Sequence, residues 1–205
     1  MGRTFIARHG ETVFNAAGRI QGDDGHTPLT RAGFAQAEEM GAALRAALGP
    51  RPPLALWSSP SGRALQTLAV IAEHLELDWH AARIDARLRE IGMGEWTGRY
   101  YRQLTAEVGP IYDPATLLFV RQAPGGEDYP AVAARLRSWI EETAGDEGDR
   151  LVLMHGMSAR VLRGLLTGAA VRPECAAPVA DSLPQGSIVA VEAGREAIVH
   201  VGTGA

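Results

Sequence analysis

The pentapeptide Arg8-His9-Gly10-Glu11-Thr12 follows the apolar run Phe5-Ile6-Ala7. It sets an imidazole beside a permanent cation, with a glycine that lets the backbone bend closely around a ligand. Such a set handles an anion, and phosphate suits it best. Two further segments carry similar signals. His155-Gly156 follows the apolar stretch Leu151–Met154, and Ser58-Ser59-Pro60 is followed closely by Arg63. Cleavage of a phosphomonoester needs a nucleophile, cations around the phosphoryl oxygens and an acid for the departing oxygen. A neutral histidine can attack phosphorus and be freed later by water. Arg8 and Arg63 can neutralise the oxygens, a protonated second histidine can stabilise the same charge, and Glu90 can supply the acid. The neighbours Ile91, Met93 and Trp96 predict an apolar setting for Glu90.

These residues do chemistry together only if the fold gathers them. Strand-like and helix-like segments alternate, which predicts an α/β sandwich. Thr4–Arg8, Leu54–Ser58 and Leu151–Met154 read as strands. Thr30 reads as the cap of a helix with Phe34, Ala37, Gly41, Leu44 and Leu48 on one face, stopped at Gly49-Pro50. Ser61 opens a second helix, Tyr129 to Thr143 marks a third, and a fourth follows His155 and ends at Gly168. Ile84–Leu88 is expected as a further short strand, and Ser187–Val191 with Ala197–Val201 as a hairpin. Gly92 to Gly126 reads as an irregular excursion with a short helix near Tyr100–Glu107, either a lid or a packed wall. In open α/β sheets, ligands sit outside the carboxyl ends of the strands, where Arg8, His9, Ser59 and His155 fall. The helix after His155 also turns its free N–H groups toward that crevice.

Composition bounds the function. The 205 residues predict one domain, residues 1–205, large enough for a substantial core. The net charge of −4 argues against a nucleic-acid partner. All 20 basic side chains are arginine, which in a Gly- and Ala-rich chain also reflects composition. A lone cysteine, Cys175, excludes an intrachain disulfide and fits a reducing compartment. No secretory leader or membrane span is expected, so the cytoplasm is the default.

The chain resembles the histidine phosphatase superfamily, the phosphoglycerate mutase-like proteins. The resemblance rests on Arg8-His9-Gly10-Glu11-Thr12 with Asn15, Ile20-Gln21-Gly22, Pro28-Leu29-Thr30 with Gly33, and Ser58-Ser59-Pro60 with Arg63. Leu88-Arg89-Glu90, Gly94-Glu95-Trp96, Gly125-Gly126-Glu127 and His155-Gly156 with Arg160 continue it in family order. It implies a three-layer α/β/α sandwich with a mostly parallel central sheet. It implies His9 as the phosphorylated nucleophile, Glu90 as proton donor and His155 as the second catalytic histidine. Arg8, Asn15, Arg63 and the Gly156 N–H would bind the phosphoryl group, and Thr12, Gln21 and Gly22 would lie on the substrate side. No metal and no cofactor are expected. Phe14, Met154 and Asp128 depart from the family pattern, the last at a position where serine is common.

The expected activity is metal-independent phosphomonoester hydrolysis of a small phosphorylated metabolite through a phosphohistidine. The alternative is a phosphoglycerate mutase. Cofactor-dependent mutases of the family carry a long insertion with a lysine and paired arginines that hold a carboxylate. Gly92 to Gly126 contains no lysine and only Arg99, Arg102 and Arg121 as basic residues, which favours the phosphatase. A metalloenzyme using His9, His155 and Glu90 ranks low, because two arginines would repel a divalent cation. A binding module without activity is the fourth reading. The substrate and the oligomeric state are not legible.

Overall fold

The fold follows from a two-residue alternation in four strands. In β1 (Thr4–Arg8), Phe5 and Ala7 face one side and Ile6 the other. In β4 (Asp149–Met154), Leu151 and Leu153 oppose Val152 and Met154. β2 (Leu54–Ser58) divides Leu56 from Trp57, and β7 (Ile188–Glu192) divides Ile188 from Val189 and Val191. Strands buried on both faces need helices on both. The computed structural model, which describes residues 2–204, shows that arrangement. α2 (Arg31–Leu48) and α3 (Gly62–Leu75) cover the first face through Met40, Leu44, Leu68 and Ile71. α5 (Tyr129–Glu142) and α6 (Gly156–Thr167) cover the second through Val132, Leu136, Trp139, Val161 and Leu162.

The central sheet has six strands in the order β3-β2-β4-β1-β7-β8, with β3 at Arg83–Ile84 and β8 at Arg195–His200. β3, β2, β4 and β1 run parallel, while β7 and β8 are antiparallel. The three-layer, mostly parallel sandwich is therefore observed. β1 and β4 are direct neighbours with Arg8 opposite Met154, so the next residue on each strand, His9 and His155, emerges at one place.

Three expectations need correction, and one left open is settled. The predicted strand Ile84–Leu88 ends at Ile84, because the Asp85 side chain accepts the Arg87 N–H and starts a 3-10 turn, Ala86–Leu88. That turn brings Glu90 back to the sheet's carboxyl edge. The buried stripe of α2 is Gly33, Gln36, Ala37, Met40, Gly41 and Leu44, and Phe34 is 41% exposed. The stripe is rotated because the first turn of α2 lies against the Gly10-Glu11 backbone. The hairpin comprises Ile188–Glu192 and Arg195–His200, each slightly shifted from its expected position. The excursion is packed: Leu104, Ile111 and Leu118 join the core under α5 and α6, and its helix α4 spans Tyr101–Val108. The short helix α1 (Val13–Ala16) and the small pair β5 (Val171–Arg172) and β6 (Ala177–Pro178) carried no strong periodic signal.

The close approach of the first loop to α2 generates a test. A Cβ on Gly10 would lie 2.3 Å from the Gly33 carbonyl oxygen, backbone against backbone. Gly10→Ala is expected to lower stability by about 2 kcal/mol, read as a fall in the urea midpoint. A wild-type midpoint would mean that loop and helix are not held this closely.

Candidate active site

Both histidines stand where strands end, and both are buried, His9 at 3% and His155 at 0% exposure. Their ring centroids lie 5.2 Å apart at an interplanar angle of 63°. His9 Nδ1 is 2.7 Å from the Gly10 carbonyl, so Nδ1 carries the proton and donates to it. Nε2 keeps its lone pair and accepts from Arg63 Nε at 3.2 Å. The same Arg63 N–H reaches His155 Nδ1, also at 3.2 Å. His155 Nε2 then donates to Ser59 Oγ at 2.7 Å. Burial, and after it the Arg63 charge, push both imidazoles well below the usual histidine range. Both rings are held toward the neutral form in this structure.

The two arginines differ in what they have left to offer. Arg63 is 1% exposed. Its Nη1 donates to the Asp24 carbonyl and Thr27 Oγ1, and its Nη2 to the Gly22 carbonyl. With Nε shared by the histidines, one N–H of its five remains free. Arg8 makes one protein hydrogen bond, from Nη1 to the Leu183 carbonyl at 3.3 Å. Its Nε is buried without a partner, so most of its fork is unspent. Arg8 keeps free donors that could take an anion, and Arg63 is chiefly a brace between two imidazoles.

Glu90 sits across from them in a polar setting rather than the apolar one expected. Oε1 accepts the N–H groups of Ile91 (3.0 Å) and Ser158 (2.8 Å), and Oε2 accepts that of Met157 (3.0 Å). The carboxyl thus occupies two N–H groups in the first turn of α6, which leaves the Gly156 N–H as the donor there for an anion. Of its two oxygens, Oε2 has the more open coordination.

A buried polar network holds the loop in place. Asn15 Oδ1 accepts from Thr12 N, Gln21 Nε2 and Gln185 Nε2. Thr12, expected on the substrate side, is fully buried and caps α1, with its hydroxyl against Asn15 and Gln21. Gln21 Oε1 accepts Thr27 Oγ1 at 2.6 Å. Gly22 has φ +55°, and a Cβ there would meet Met93 at 2.8–2.9 Å, so the turn that feeds Arg63 its carbonyl requires glycine.

A cavity of about 110 Å³ brings together Arg8, His9, Asn15, Gln21, Gly22, Arg63, Glu90 and Gly156. Arg19 also lines it and donates to the Tyr100 hydroxyl at 3.1 Å. A larger cavity of about 470 Å³ shares Arg8, Gly156 and Met157 and is the one that His155 lines, but it includes neither His9 nor Glu90, which face the smaller one. Arg160 lies outside the phosphoryl cage: it ties α6 to the carbonyls of Thr116, Leu117 and Ala180. Asp128 caps α5 through the Ala131 N–H. The Cys175 thiol is buried against the Arg172 and Ala177 carbonyls, and burial raises its pKa, as fits a structural cysteine.

Sequence reasoning missed Gln185, 1% exposed, which donates to both Gly10 O and Asn15 Oδ1 across 175 and 170 residues. It gave Ser59 no partner and Thr27 no role. The serine carried a signal, since it stands at a strand end beside Pro60. Gln185 carried none, because only the β1–β7 pairing brings it near.

The sequence model of the histidine phosphatase superfamily (branch 1) matches residues 4–201. A glucosyl-3-phosphoglycerate phosphatase of Mycobacterium tuberculosis is 35% identical over 169 residues, covering 75% of this chain and 70% of that one. A probable phosphoglycerate mutase GpmB of Erwinia tasmaniensis is 32% identical, covering 84% and 78%. The solved structure of a mycobacterial glucosyl-3-phosphoglycerate phosphatase with VO3 superposes with TM-score 0.77 at 28% identity over all of both chains. The paired histidines, the open arginine and the carboxyl at one strand edge thus stand in a chain that belongs to the histidine phosphatase superfamily, branch 1.

Proposed function

We propose that this enzyme hydrolyses small phosphomonoesters by passing the phosphoryl group through His9. The observation that carries the reading is the shared Arg63 N–H, which aims His9 Nε2 and His155 Nδ1 at one point beside the unspent fork of Arg8. In the first step the Nε2 lone pair forms the N–P bond and the P–O bond to the alcohol breaks. The departing oxygen takes the proton of Glu90, carried on Oε2. Arg8, the free N–H of Arg63, the Asn15 amide and the Gly156 N–H hold the phosphoryl oxygens. In the second step water attacks phosphorus, Glu90 accepts its proton, and the N–P bond breaks to release phosphate and restore His9. Gln21 and Gly22 line the substrate side.

Names among the relatives support both a phosphatase and a mutase. The phosphatase fits better. Within the excursion, Arg99 pairs with Glu107, Arg121 donates to the Pro110 carbonyl, and neither lines the reaction cavity. The glucosyl-3-phosphoglycerate phosphatases among the relatives act, by name, on a phosphorylated sugar acid. None of its described helices is long and apolar enough to cross a membrane. We place the enzyme in the cytoplasm, without a nucleic-acid partner, from its single cysteine and its negative charge.

His9→Ala is expected to abolish turnover of 4-nitrophenyl phosphate and the acid-labile labelling of the protein by radioactive substrate. Turnover surviving in that variant would assign the attack to another group. Glu90→Gln is expected to slow alkyl phosphates about a hundredfold or more, and aryl phosphates, whose leaving groups need less help, far less. Equal slowing of both classes would move the acid elsewhere.

The buried imidazoles also set a pH dependence of stability. Their folded pKa values lie below the unfolded value of about 6.5, so the unfolded chain binds protons that the folded site refuses. Their contribution is complete above about pH 6.5 and is lost as the pH falls below it, with a slope of up to about 1.4 kcal/mol per pH unit for each ring. Denaturant titrations at pH 7 and pH 5 should show a smaller loss for His155→Asn than for the wild type. Identical losses would mean that the ring at 155 titrates normally.

A further inference from the structure

The reaction cavity shares a wall with a second cavity. Ile91, Met93 and Phe119 line both the 110 Å³ cavity that holds His9 and Glu90 and a neighbouring one of about 280 Å³. Beyond that wall the second cavity continues past Ala123, Pro130 and Pro173. The wall stands on a particular side of the chemistry. In an in-line displacement the leaving oxygen lies opposite His9 Nε2, next to the acid that protonates it, and Ile91 directly follows that acid, Glu90. An alcohol leaving past Glu90 therefore travels toward Met93 and Phe119.

Phe119 suits the part of a partition. Its backbone N–H donates to the Tyr129 hydroxyl at 2.8 Å, and a bridge to Tyr112 fixes its strand, so the backbone is held while the half-buried ring faces both spaces. The phenol of Tyr129 is raised in pKa by its own burial and stays a neutral partner there. The second cavity also has a definite chemistry. Most of its polar side chains are engaged within the protein: Glu127 with Arg89, Arg135 and the Gly92 N–H, Asp128 as the cap of α5, and Gln122 with the Gly126 carbonyl, while Arg121 gives its Nε to the Pro110 carbonyl and Glu174 lies 4.0 Å from Arg172. What remains for a ligand is mostly carbon surface, with the flat faces of Phe119, Pro130 and Pro173, and the Arg121 and Glu174 side chains as the charged groups with free polar atoms.

We propose that the second cavity is a leaving-group subsite for an apolar, ring-bearing body, with Phe119 as the residue that sets how long a leaving group the enzyme accepts. The proposal rests on the phosphatase reading and goes beyond it by naming the class: phosphomonoesters whose alcohol carries a ring more than the reaction cavity can hold.

Phenyl phosphate and 2-naphthyl phosphate test it, since their leaving groups are nearly equal in acidity and differ by one fused ring. Hydrolysis of phenyl phosphate by the wild type reads the phosphatase assignment alone. The subsite is read by the ratio of kcat/KM for naphthyl over phenyl, expected at roughly tenfold from the carbon surface covered. Phe119→Trp, which thickens the partition, and Pro173→Trp, which fills the cavity from its exposed outer side, should each bring that ratio close to one. A wild-type ratio near one, or a high ratio unchanged in both variants, overturns the proposal while leaving the phosphatase intact. Calorimetry with benzylphosphonate and 2-naphthylmethylphosphonate, which are not hydrolysed, measures the same preference as a ratio of Kd values and decides the case if neither ester is turned over.

Discussion

The site depends on one buried cation held between two neutral imidazoles. Arg63 pairs with no carboxylate within 4 Å among the described residues; backbone carbonyls of Gly22 and Asp24 and the Thr27 hydroxyl take its Nη donors. A guanidinium buried in this way costs free energy unless its donors are satisfied. Dipoles satisfy them here, and dipoles leave the positive charge uncancelled. Burial first, and that charge after it, keep His9 and His155 toward the neutral form, and the shared N–H marks which nitrogen of each ring carries a lone pair. In the proposed reaction the phosphoryl dianion meets a guanidinium whose hydrogen-bond partners are dipoles and not carboxylates.

The sheet supplies the rest of the geometry. Parallel neighbours end on the same side, so β1 and β4 deliver His9 and His155 together, and β2 delivers Ser59 to the second ring. β7 runs the other way and starts where the others end, which brings Gln185 under the Gly10 loop. The first loop is then clamped from three sides: by Gln36, whose Oε1 accepts the Glu11 N–H, by Thr67, whose hydroxyl accepts the Gly10 N–H, and by Gln185. A nucleophile on a loop is precise only when the loop is held this way.

Much of this was legible in the chain itself. Period-two apolar runs located the main strands, and the blocks around His9, Arg63, Glu90 and His155 identified the residues that the fold gathers. What escaped was of two kinds. Short elements such as α1 and β5 bury too little to leave a periodic pattern. Division of labour among like residues also escaped, because it depends on which acceptors the fold brings near. Arg8 and Arg63 read alike in sequence, yet only Arg63 meets carbonyls. The family resemblance put Thr12 on the substrate side, but its hydroxyl closes a capping box and turns inward. Phe34 fitted a helical face that the approach of Gly33 to Glu11 then rotated outward.

Glu90 shows how the same physical features serve two purposes. Its carboxyl accepts two N–H groups of α6, which fixes it in the wall of the cavity that holds His9 and fastens the 3-10 turn to the helix end. The same bonds remove donors that a phosphoryl group would otherwise find at that helix end. In the proposed reaction the anion depends more on Arg8, whose guanidinium makes one hydrogen bond, to the Leu183 carbonyl, and keeps the rest of its fork open. The openness of Arg8 and the anchoring of Glu90 are thus two consequences of one arrangement. A carboxyl positioned by helix N–H groups cannot share the same donors with the phosphate, so a separate guanidinium must supply them.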